Sequence, residues 1–186
     1  MNLEEIVNDY LNKSAHLLDR EICFFRTLPS LTETISRAAM AETSQGKRSS
    51  HQPAYRFFTE ELETAKQCLL GIEEQVRVCE TFEELKCLVN KAIVPIYKNA
   101  ILYIYDTAWK VGAKLDLEPE AVYLHAGTLK GAKALGLNVK RDSIESYELP
   151  VSLQRLRPIH IENLLCIYKD QSGNGFAEKN LLIRGC

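Results

Sequence analysis

The chain lacks most of the marks by which a chemistry announces itself. None of its six cysteines (Cys23, Cys68, Cys79, Cys87, Cys166, Cys186) forms a C-x-x-C pair, and none of the four histidines stands at zinc-ligand spacing from them. A tetrahedral site would have to be gathered from distant segments, so no metal is expected. There is no Walker loop, no dinucleotide fingerprint and no G-x-S-x-G elbow, and no cofactor is expected. Long apolar runs are missing too. The most hydrophobic stretch, 95–115, is interrupted by Lys98, Asp106, Lys110 and Lys114, which excludes a membrane span. A formal net charge of −2 gives no overall pull toward nucleic acid or a charged membrane, so either partner would need a local patch. No internal repeat and no long linker break the chain.

What is present describes a soluble helical protein. With 186 residues, 46% hydrophobic and 26% charged, the chain can bury the core of a single domain, 1–186, without a disulfide or metal staple. The opening MNLEEIVNDY is acidic and amphipathic and does not resemble a leader, so the thiols are expected reduced and the location cytoplasmic.

Helical spacing recurs along the chain. Leu3, Ile6, Val7, Tyr10, Leu11, Leu17, Leu18, Ile22 and Phe25 mark one amphipathic helix over 3–25. Ser30 with Glu33 and Thr81 with Glu84 have capping-box spacing and start helices running to about Glu42 and to Ile93. A further helix is expected from Phe58 to near Cys79. Between them TSQGKRSSHQP, 43–53, is a polar loop, and 171–186 is a short tail. Beyond Asn138 the pattern allows a short helix from Asp142 or an extended excursion, then a helix opened by Pro158. The fold class expected is all-α, a single-domain, bundle-like fold with about seven to nine helices around a central one that starts at Pro95.

The stretch 95–138 holds the only Trp, four of eight Tyr and four of nine Gly. After the central helix, Pro119 to Ala126 reads as a short helix, Gly127 as its left-handed cap, Thr128 as the next N-cap, and Leu129–Leu135 as a helix stopped at Gly136. The small residues Gly127 and Gly131 permit close backbone approach, to another helix or to a ligand. His125 reads either as a ring capping the end of the short helix or as a ligand contact. Asp106, between Tyr105 and Trp109, is a carboxylate whose burial would raise its pKa, with Lys110 or a Tyr as partner.

PEAVYLHAGTLKGAKALG, 119–136, resembles the helix-hairpin-helix elements that bind nucleic acid, although its glycines stand four apart where that turn has them two apart. The resemblance implies that Gly127, Thr128 and Gly131 form a turn toward a phosphate, with Lys130 and Lys133 adding charge. The longer block YDTA…VYLHAGT…GAKALG is similar to one in small uncharacterised bacterial proteins. Lys47, Arg48 and His51, joined by Arg56, form the one locally basic stretch, read as a solvated loop or an anion contact, and Lys140, Arg141, Arg155 and Arg157 follow later. Two functions are therefore expected from different classes. One is binding of DNA or RNA through the hairpin, His125 and the basic set. The other is a non-catalytic protein-interaction or oligomerisation module in which the hairpin packs against another helix. An enzyme assembled from Tyr105, Asp106 and His125 is the third.

Overall fold

The computed structural model describes residues 2–48, 57–97 and 100–170. Arg56, His51, the 49–53 part of the polar loop and the tail 171–186 lie outside the described residues. The fold is all-α and bundle-like: among the described residues ten helices accompany one two-stranded sheet. In chain order these are α1 (Leu3–Lys13), α2 (Ala15–Thr27), α3 (Leu31–Ala39), α4 (Thr59–Leu70), α5 (Glu73–Arg77), α6 (Phe82–Ile93), α7 (Ile101–Leu115), β1 (Ala121–Tyr123), α8 (Ala126–Ala134), β2 (Ser143–Glu145), α9 (Val151–Gln154) and α10 (Pro158–Ile167). The single helical domain read from the sequence corresponds here to two compact units, Met1–His16 with Glu120–Cys186, and Leu17–Pro119.

The Leu17–Pro119 unit is built on α7. Tyr103, Ile104, Tyr105, Ala108, Trp109, Val111 and Ala113 are all buried, so α7 is covered nearly all round, and α3 and α6 are its main neighbours. Its aromatic contacts run outward: Trp109 meets Phe25 edge-on at 6.0 Å, Tyr105 meets Phe82 at 6.1 Å, and the Tyr103 hydroxyl donates to the Ala39 carbonyl at 2.6 Å. The central helix was expected to start at Pro95 and instead starts at Ile101. Pro95 lies in a turn closing α6, where the Ile96 and Tyr97 amides return to the Ile93 carbonyl. Two expected long helices are each split in two. Ser14 interrupts 3–25 with backbone angles of −124° and −32°, and Gly71–Ile72 divides 58–79. The Thr81–Glu84 capping box forms in full; at Ser30 the side chain caps the Glu33 amide.

The other unit joins both ends of the described chain. Leu3, Ile6, Val7 and Tyr10 of α1 pack with Val122 of β1, Ala132 of α8, Ile144 of β2, Leu153 of α9 and Ile161, Leu164 and Leu165 of α10. The strands pair antiparallel with Val122 opposite Ile144, both buried. Polar contacts fasten α1 at its rim. The Tyr168 hydroxyl donates to Asp9 at 2.7 Å, and Tyr10 Oη lies 2.9 Å from His160 Nδ1. On the other side of that ring Arg157 Nη2 stands 2.9 Å from Nε2. A guanidinium can only donate, so Nε2 accepts and the ring proton sits on Nδ1, donated to Tyr10.

Candidate functional site

The expected helical hairpin is not what these residues build. Ala121–Tyr123 is a strand, so the short helix read over Pro119–Ala126 is absent, and Gly127 and Thr128 lie inside the first turn of α8. The β-formers Val122 and Tyr123 were the available signal. A helix needs four backbone hydrogen-bond positions to close a turn, whereas 121–123 finds its partners across the sheet.

Within α8 the glycines serve packing. A Cβ placed on Gly131 would stand 2.3 Å from the Leu165 carbonyl oxygen, and one on Gly127 would stand 2.5 Å from Cys166 Sγ. Both therefore pack closely against α10, where a side chain would collide. The helix does stop where the sequence indicated. Gly136 has φ of 70°, and the Leu137 and Gly136 amides bond back to Ala132 and Lys133, the double bond of a Schellman cap.

Thr128 is fully buried and donates to Glu162 Oε1 of α10 at 2.7 Å, with His125 Nε2 3.4 Å from the same oxygen. His125 takes neither expected role in full. It is the N-cap of α8, not a cap on a C-terminus, and makes no side-chain capping bond. The residue is 5% exposed, and burial lowers its pKa to about 4, so the imidazole is neutral at pH 7. The positive end of α8 acts in the same direction. This buried His125–Thr128–Glu162 group ties α8 to α10.

The cations are on the outside. Lys130 and Lys133 are exposed on α8, and Lys130 pairs with Asp170. Arg141 pairs with Glu148, and Arg155 with Glu4 at 2.9 Å and with the Asn8 side chain. Surface pairs of this kind are weak, about 0–1 kcal/mol each. Lys47 and Arg48 belong to the other unit, as do Tyr105 and Asp106; there Asp106 accepts from Trp109 Nε1 at 3.2 Å and burial raises its pKa to about 6. Among the described residues no three His, Cys, Asp or Glu side chains are placed to hold a metal ion, and no described helix is long and apolar enough to cross a membrane.

Sequence reading missed the most exposed apolar pair of this unit. Tyr147 is 78% exposed in a short 3-10 turn, Ser146–Glu148, and Val151 is 82% exposed at the start of α9, which touches that turn. Glu145 and Glu148 are near neighbours of Tyr147 in sequence, and Arg155 follows Val151 by four residues. Nothing in the local pattern marks these positions, because two isolated apolar residues do not set a period. Comparison with protein-family models, with curated proteins and with solved structures found no match for this chain.

Proposed function

We propose that this protein is a non-catalytic interaction module and that its partner is a second copy of the chain, docked through Tyr147 and Val151. The observation that carries this reading is the exposure of those two side chains, on touching elements, in a unit whose other large apolar residues are mostly buried. Exposed Tyr is among the residues enriched at protein interfaces. The neighbouring charges Arg141 and Glu148 are already paired with each other, and Arg155 with Glu4, which leaves the apolar side chains to carry the contact. Sedimentation velocity over a concentration series, with Tyr147→Ser/Val151→Ser as control, tests it.

A second reading rests on the outer face of α8, where Lys130 and Lys133 point to solvent one turn apart. Nucleic acid bound there would touch lysines and not a glycine turn, since Gly127 and Gly131 face α10. Fluorescence anisotropy with labelled DNA and RNA at low and physiological salt, beside a Lys130→Glu/Lys133→Glu variant, separates the two readings. Phosphate contact predicts steep salt dependence through counterion release, and an apolar interface predicts little.

A further inference from the structure

In the Leu17–Pro119 unit the end of α5 and the outer face of α6 border a groove of about 330 Å³. Val78 and Cys79 form one wall, and Glu84, Cys87, Leu88 and Lys91 form the other. The four α6 residues stand at i, i+3, i+4 and i+7, which makes them one stripe two turns long. Phe82, Leu85, Val89 and Ile93, on the opposite side of the helix, are buried in the core. The outer stripe is therefore a second face of α6 with an apolar middle. Cys87 is exposed, Leu88 is half-buried, and Val78 beside them is 73% exposed.

Charge marks the two ends of the stripe. Glu84 is exposed, and its Oε2 accepts the Glu80 and Thr81 amides at 2.9 and 3.3 Å. Lys91 is exposed and makes no ion pair among the described residues, although its neighbour on the helix, Lys86, is paired with Glu83 at 2.9 Å. Seven positions separate Glu84 from Lys91, about 10 Å along the axis, so the two cannot meet within one chain.

We propose that this groove takes the α6 stripe of a second copy, antiparallel, about a two-fold axis between Cys87 and Leu88. That axis exchanges positions 84 and 91, so each Glu84 meets the other copy's Lys91 at both ends of the contact. It also sets Cys87 against Cys87 and Leu88 against Leu88, with the exposed Val78 alongside. A parallel pairing would place like charges together at each end, and this selects the antiparallel one. The mode is a helix laid in a groove, with anchors at i, i+3, i+4 and i+7. Its apolar area is small, so the contact is transient, and it uses a different face from Tyr147 and Val151.

Disulfide trapping tests a transient contact of this kind. The full chain is oxidised briefly with diamide, which takes up the two protons and two electrons that each disulfide releases, and the linked peptides are identified by mass spectrometry. Cys23, Cys68 and Cys87 are all exposed, so random collision links all three. With each thiol normalised to its alkylation by iodoacetamide, the Cys87–Cys87 link is expected to exceed the others about tenfold. It is expected to persist in Tyr147→Ser/Val151→Ser, which separates this contact from that one. Lys91→Glu, at an exposed position, puts like charges at both ends and is expected to slow the Cys87 link about tenfold, with circular dichroism unchanged. Adding Glu84→Gln keeps an acceptor for the Glu80 and Thr81 amides, removes the repulsion and restores the link in part. Links spread evenly over the three exposed cysteines, or no links, overturn the proposal. A Cys87 link that Lys91→Glu leaves unchanged overturns the antiparallel register.

Discussion

Gly131 and Leu165 meet backbone to backbone: a Cβ on Gly131 would lie 2.3 Å from the Leu165 carbonyl oxygen and 2.9 Å from its carbon. Such a contact leaves a main chain, not a flexible side chain, to yield. Gly131→Ala is therefore expected to destabilise the protein by about 2–3 kcal/mol, overpacking outweighing the roughly 1 kcal/mol that alanine gains in a helix interior. Gly136→Ala meets open space and costs only its left-handed φ, about 1–2 kcal/mol. Urea denaturation of both variants checks the order.

These glycines also show how much of the fold could be read in advance. Gly136 was legible because a helix stop needs a left-handed residue at a known position. Gly127 and Gly131 were not, because a small residue looks alike in a turn and on a packed helix face, and Leu165, which decides between them, is 34 positions further on than Gly131. For the same reason the all-α class, the buried α7 and the Thr81 cap followed from spacing, while Ala121–Tyr123 became a strand through its pairing with Ser143–Glu145. Tyr147 and Val151 had no sequence signal, since exposure is decided by what the rest of the chain covers.

His125 makes stability depend on acid. Burial holds its pKa near 4, below the ordinary 6.5, so the unfolded chain takes up a proton first as pH falls. Its contribution is intact above pH 6.5 and is lost progressively toward pH 4, to a depth of at most about 3 kcal/mol. His125→Gln is expected to flatten the urea midpoint between pH 7 and 5, whatever it costs at neutral pH.

Asp106 acts with the opposite sign. Burial raises its pKa to about 6, so the folded state favours the protonated carboxyl, and stability falls as pH rises from 4 through 6. Asp106→Asn keeps an acceptor for Trp109 Nε1 and removes the buried charge. It is expected to stabilise the protein by about 1–2 kcal/mol at pH 7.5, with no gain at pH 4, by thermal denaturation. Lys110 opposes this by attracting the carboxylate, which keeps the expected gain below the full burial cost.

If nucleic acid binds the outer face of α8, Lys130→Glu/Lys133→Glu removes salt-dependent anisotropy while circular dichroism is preserved, because neither side chain is buried. Binding that survives this change places any phosphate contact elsewhere.

Sedimentation velocity of the full chain across micromolar concentrations tests the proposed role most directly. The account predicts a concentration-dependent shift from monomer to dimer that Tyr147→Ser/Val151→Ser abolishes without altering the fold, and that salt changes little. A chain that stays monomeric throughout, or a dimer indifferent to both substitutions, contradicts it.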